Sequence, residues 1–263
     1  MFRIGQDLGV ACRDAAAWPL WLLGYPEQAL AHIYEALALA HELSHPFSLV
    51  FARCVAAFVS QWCQDVAAVH EHAEAAVALA TEQGFPLYAA WGTSLHGWAL
   101  AMQGQGEEGI AQVRQGIAAM RTTHAALFVP YFSASLAEVC DHLSYPADGL
   151  QALTEAHTLL EQQEERWWEA EVCRLRGVLL LRQLGTPQAE AEAWLQRALD
   201  IARRQAAKSL ELRAAISLSR LWQEQGKRTE ACALLAPIYG WFTEGFDTAD
   251  LQEAKALLAE LGG

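Results

Sequence analysis

Apolar residues recur along the chain at the spacing of a buried helix face. In "GYPEQALAHIYEALALA" (residues 24–40) the Ala and Leu residues fall at helical intervals, with Ala29, Ile33 and Ala36 on one stripe. No run of β-branched residues alternates with period two, so no strands are expected. The pattern then repeats. "LALAHELSHP" from Leu37 is followed by "VALATEQGFP" at Val77, "IAAMRTTHAA" at Ile117 and "HTLLEQQEER" at His157. "LDIARRQAAK" comes at Leu199 and a weaker copy, "IYGWFTEGF", at Ile238, giving intervals of 40, 40, 40, 42 and 39 residues. The two extra residues fall in "LGTPQAEAE", a turn, where insertions cost least.

Each period holds two helical patterns. In the third copy "PLYAAWGTSLHGWALAMQG" is the first helix and "EGIAQVRQGIAAMRTT" the second, with "GQGEE" between them. Gly24, Gly104, Gly185 and Gly226 mark the turns, where a positive φ ends a helix. Pro26, Pro146 and Pro187 are expected just inside the second helices, where a missing N–H costs little. The unit is therefore an antiparallel helix pair that buries its apolar face only by stacking on its neighbours. The expected architecture is all-α, one domain over 1–263, with repeats at 1–44, 45–84, 85–125, 126–165, 166–206 and 207–245 and a closing helix at 247–262. Contacts in such an array are local, so unfolding is expected to be only partly cooperative.

The residues resemble the tetratricopeptide repeat. Gly97 stands at the close helix approach, Gly104 at the turn, and Gly109 and Gly116 along the second helix; Gly177, Ala191, Leu195 and Ala198 match in the fifth copy. The period is about 40 rather than 34, and His96 stands where a Leu is usual. "WLLGYPEQALA", "ERWWEAEVCRLRG" and "LLAPIYGWFTEGFDTADLQEAKALL" are similar to the long-repeat region of bacterial signal-transduction ATPases, LuxR-type regulators and nucleotide cyclases with a predicted-ATPase domain. The resemblance implies a right-handed superhelical solenoid of about six helix pairs, whose first helices line a concave groove. No GxxxxGK[ST] phosphate loop occurs in the chain.

Composition narrows the function classes. A net charge of −13 disfavours direct nucleic-acid or membrane partners, whose surfaces are also negative. Six scattered cysteines with no pairing pattern fit free thiols in a reducing cytoplasm. No stretch is long and apolar enough to span a bilayer. Cys63, His70, His72, Glu71 and Glu74 lie close in sequence, but residues two apart on a helix do not share a face, so no metal is expected; Cys140 and His142 fall to the same argument. No nucleophile–base constellation stands out, and neither a cofactor nor an enzymatic site is expected.

The groove carries the candidate chemistry. Eight of the ten Trp are placed in first helices (18, 21, 62, 91, 98, 167, 168 and 222). The family register puts Trp18, Trp21, Phe51, Phe58, Trp62, Trp91, Trp98, Met102 and Tyr131 on the concave face, followed by Glu138, His142, Glu171, Arg174, Arg182, Arg213 and Arg220. Exposed aromatics and Arg are the usual anchors of interfaces. Residues 132–165 hold seven acidic and no basic residues, whereas 166–228 carry a local +5, so an acidic peptide or anionic ligand is a candidate occupant. The expected function is a non-catalytic protein-interaction or scaffold module of cytoplasmic signalling. The alternative is a domain that senses a ligand or peptide and regulates an associated ATPase or cyclase. The first helix carries Phe2, Ile4, Leu8, Val10, Trp18, Leu20, Trp21 and Leu22, more apolar residues than one packing face needs, so a homodimer through residues 1–24 is also expected.

Overall fold

The computed structural model describes residues 5–123, 126–163 and 166–262. Among these residues the chain is all-helical, with no strand. The α-helices are α1 (Leu8–Leu22), α2 (Pro26–Leu43), α3 (Pro46–Trp62), α4 (Val66–Gln83), α5 (Pro86–Met102), α6 (Gly106–Thr122), α7 (Val129–His142), α8 (Pro146–Gln163), α9 (Glu169–Arg182), α10 (Gln188–Arg204), α11 (Lys208–Glu224), α12 (Arg228–Tyr239) and α13 (Ala249–Gly262). A single 3-10 turn, Ala126–Phe128, leads into α7. The even-numbered helices begin at residues 26, 66, 106, 146, 188 and 228, which reproduces the sequence period. Every helix packs on the next in the chain, and each odd-numbered helix also packs on the next odd-numbered one.

Turn chemistry explains this regularity. Gly24, Gly104, Gly185 and Gly226 all adopt positive φ, between 78° and 94°. At the equivalent position of the other two units, Gln64 and Ser144 take the same left-handed conformation despite their side chains, both at φ 61°. The period was therefore kept where the glycine was not. Pro26, Pro46, Pro86 and Pro146 each open a helix. Pro187 differs from the expectation: it is the N-cap of α10, at ψ 132°, and stands one residue outside the helix. Trp167 and Trp168 also lie ahead of α9 rather than within it, with Trp168 as its N-cap.

The small-residue seam between α5 and α6 is as close as the sequence pattern implies. A Cβ on Gly97 would sit 2.7 Å from the Gly109 carbonyl oxygen and 2.8 Å from the Val113 nitrogen. A Cβ on Gly109 would in turn meet the Gly97 carbonyl at 2.5 Å. Backbone stands on both sides, so no side chain can move aside. Gly97→Ala is expected to force the two helices apart, to cost about 2 kcal/mol and to lower Tm by about 6 °C. A calorimetric scan of the variant checks this; an unchanged Tm would show that the seam is slack.

The chain then curves until its ends meet. α1 packs on α11 as well as on α2 and α3. Ser209 Oγ donates to the Trp21 carbonyl at 2.5 Å, across 188 residues. The Gln28 backbone and side chain donate to Glu244 at 3.1 and 2.8 Å, and the Gly245 N–H donates to Glu27 at 2.8 Å. Gly24 leaves the room this joint requires, because a Cβ there would meet the Trp241 ring at 2.6 Å. The apolar surplus of α1 is absorbed by this closure: Val10 and Trp21 are buried, and Trp18, Leu20 and Leu22 pack against the same core, leaving Leu8 exposed. Phe2 and Ile4 lie outside the described residues. The residues offered as ground for a dimer face are thus mostly covered by the chain itself.

Candidate functional site

Odd-numbered helices bring their aromatic side chains to a common centre. Phe58 and Trp62, one turn apart on α3, are its axis. Phe58 lies 5.0–5.9 Å from Trp18, Trp91, Phe128, Tyr131 and Phe132, ring centre to ring centre. Trp62 lies 5.1–6.3 Å from Trp18, Trp21, Tyr131, Trp167 and Trp168. Most pairs are tilted or edge-to-face, as ring quadrupoles prefer. A short relay satisfies the polar atoms around Trp62, whereas the buried Trp91 Nε1 has no hydrogen-bond partner. Trp62 Nε1 donates to the Tyr131 hydroxyl at 3.1 Å, that hydroxyl donates to Gln61 Oε1, and Gln61 Nε2 donates to Ser135 at 3.3 Å.

This corrects the expected groove. Trp18, Trp21, Phe58, Trp62, Trp91, Trp98 and Tyr131 do face inward, but they fill the interior instead of lining an open channel. Trp98 is 0 % exposed and Trp91 5 %. Trp18 and Met102 are half-buried against the same core. The curvature that closes the chain brings opposite first helices within ring contact.

The charged half of the predicted face stays open. A cavity of about 290 Å³ lies among α7, α9, α11 and α13, with Gln64 reaching in from the α3–α4 turn. Arg174, Arg213 and Arg220 line it, together with Glu138, Asp141, Asp250, Glu253 and Ser217. Arg182 stands beside Asp141 at 2.8 Å and His142 is exposed outside the cavity lining. Each Arg is matched to a carboxylate of its own. Arg174 grips both oxygens of Glu171, at 2.9 and 2.7 Å. Arg213 pairs with Asp250 at 2.8 Å and Glu171 at 3.4 Å, and donates to the Trp62 carbonyl at 2.6 Å. Arg220 pairs with Glu253 at 2.8 Å on the exposed rim.

Burial and pairing compete here, and the balance differs by residue. Burial opposes the charge of Glu171, yet Arg174 and Arg213 together outweigh it and hold the carboxyl below its ordinary range. Asp250 also pairs with Arg213, but there burial outweighs the guanidinium, with the Glu171 charge adding to it, and the carboxyl is pushed up. Burial likewise raises Asp141, against the pull of Arg182, and Glu138, against that of Arg213. Burial disfavours the Arg213 charge, but Asp250, Glu171 and Glu138 more than offset it and raise its pKa. Carboxyls shifted together beside an open cavity make it the candidate site.

No protein-family model matches the chain, and no curated protein matches it either.

Other candidates are accounted for by packing. His70 lies tilted against His96 with ring centres 4.8 Å apart, whereas His72 turns to Arg53 at 3.0 Å, so the two rings diverge. Among the described residues no group of three or more His, Cys, Asp or Glu is placed to hold a metal ion. All six cysteines are free; Cys54, Cys140 and Cys173 are buried, and burial pushes the Cys140 and Cys173 thiols up to about 11. No helix is long and apolar enough to cross a membrane among the described residues. Sequence reasoning missed Gln64, Asp141, Ser217, Asp250 and Glu253 as site residues. Gln64 sits in a turn that glycine usually occupies, and Asp250 and Glu253 belong to the closing helix, where periodicity points to packing alone.

Proposed function

We propose that the chain is a non-catalytic sensing module, a tetratricopeptide-like right-handed superhelix of six helix pairs that binds a small polar ligand in the charged cavity. One observation carries this reading: aromatic rings fill the centre of the inner face, whereas the Arg–carboxylate cavity beside them stays open. A cavity of about 290 Å³ is near the lower end of ordinary small-molecule sites. Its walls come from four helices and a turn far apart in sequence, so an occupant would tie the closing helix α13 to α7 and α9. That is the coupling a sensor needs in order to pass occupancy to an attached signalling enzyme.

Thermal shift with a panel of diamines, amino acids, dicarboxylates and inorganic phosphate at millimolar concentration tests the reading. At least one class should raise Tm by about 2 °C or more. Ala249→Trp, a substitution at an exposed position on the cavity wall, should cancel the rise. No shift with any class would refute the reading.

A protein partner is favoured by a different observation. An apolar hollow of about 320 Å³ lies outside the hub, lined by Pro19, Leu22, Leu23, Trp167, Ala206 and Ala207. It is wide enough for an inserted side chain and lies at the joint between the two ends of the chain.

A further inference from the structure

We infer that the ligand carries a primary ammonium group on an unbranched alkyl stem, and that Glu138 receives it. This rests on the reading of the charged cavity as the ligand site. The pairing of charges points to it. Arg174, Arg182, Arg213 and Arg220 are each within 2.9 Å of a carboxylate oxygen of Glu171, Asp141, Asp250 and Glu253 respectively. Glu138 is the carboxylate with no cation in direct contact; Arg213 and Arg174 act on it only through space. Its oxygens accept from neutral donors only: Gln64 Nε2 on Oε1 and Trp98 Nε1 on Oε2, both at 2.9 Å. Two N–H donors favour the ionised form and fix the group's orientation, but they bring no positive charge. A carboxylate in a largely buried site is stabilised most by a cation, and the cavity supplies none that is not already engaged.

The shape of the vacancy selects the cation. Each oxygen of Glu138 already carries one donor, and a guanidinium fork needs a free lone pair on both oxygens in one plane, a stricter demand than an ammonium makes. An ammonium is a compact charge with rotatable donors and can approach the lone pairs that remain. Leu175 and Ile216 line the same cavity and offer apolar wall to a methylene stem. A linear diamine and a lysine side chain share this chemistry. The net charge of −13 also draws cations toward the protein over distance.

The indole N–H of Trp98 reports directly on Glu138. In the full chain labelled with 15N at tryptophan, titration with 1,5-diaminopentane should move the Trp98 indole resonance saturably. Glu138→Gln should weaken binding at least tenfold while leaving the circular dichroism spectrum unchanged. Nα-acetyl-lysine amide as a second probe separates the sources: saturation by it at a concentration similar to that needed for the diamine supports a peptide lysine, and saturation by the diamine alone supports a free diamine. If glutarate or phosphate raises Tm while neither amine moves the Trp98 resonance, the cavity remains a ligand site and the ammonium assignment is overturned. If magnesium ion moves the resonance and the amines do not, the assignment is overturned equally. If no probe acts, the sensing reading falls with it. The wild-type resonance decides the matter even if Glu138→Gln fails to fold.

Discussion

Asp14→Asn should make the protein more stable at neutral pH, by about 4 kcal/mol, and should remove most of the pH dependence of its stability between pH 5 and 8. Asp14 lies on α1, one helical turn from Val10 and Trp18, and is 0 % exposed. Neither carboxylate oxygen has a hydrogen-bond partner. Burial alone pushes its pKa from 3.8 up to about 8. The sign follows from proton binding. Between those two values the folded chain holds a proton that the unfolded chain has released, so the native state loses ground as pH rises. Stability from this group is full below pH 4 and is lost as pH climbs through about 8. An asparagine never ionises and escapes that loss, while keeping nearly the same shape. Urea unfolding of both proteins from pH 5 to 9 measures the effect: the wild-type curve should fall toward alkaline pH and the variant curve should stay nearly flat. Parallel curves would mean that Asp14 is solvated in solution. Because α1 closes the chain against α11, the wild type can also relieve the buried charge by releasing α1. Hydrogen exchange in residues 8–22 should therefore quicken above pH 8 before global unfolding sets in.

Phe58→Ala should cost about 4 kcal/mol, in the middle of the range for removing a buried phenylalanine. The side chain is fully buried and meets rings from α1, α5, α7 and the turn before α7. The cavity left behind cannot collapse easily, since its walls belong to helices held separately by their own neighbours. The effect on cooperativity is as informative as the energy. A linear array has nearest-neighbour contacts and melts piecemeal. Here Ser209 reaches Trp21, Arg213 reaches Trp62 and Glu244 reaches Gln28, so the first and last thirds of the molecule support each other. The wild type should therefore unfold in one transition by tryptophan fluorescence and by circular dichroism, contrary to what local contacts alone imply. Phe58→Ala should separate the two curves. If the wild type already shows separate transitions, the closure contributes little energy.

The periodicity of the chain determined its helices, their order and their turns without any coordinates. Helix formation is local: apolar spacing, a proline at the first position and a glycine of positive φ act within a few residues, so Pro26, Gly104 and the Gly97–Gly109 seam could all be read directly. The inward side of each helix was legible in part for the same reason: Trp62, Trp98 and Tyr131 turn into the core, whereas Trp167 and Trp168 precede α9 instead of lying on it. Whether that inner face is open was a different kind of question. It depends on the small rotation between successive helix pairs, summed over the chain, and no single residue encodes that sum. Tertiary structure alone brought Trp21 against Ser209, turned the aromatic groove into a hub and left Glu138 with neutral donors only in direct contact. One hint was available beforehand. Asp14 stands on the stripe of Val10, Ala17 and Trp21, and a carboxyl on an apolar stripe has to be either paired or protonated. Only the packed structure could decide which, because partners for a buried charge come from whatever the rest of the chain places beside it, and beside Asp14 it places no hydrogen-bond donor.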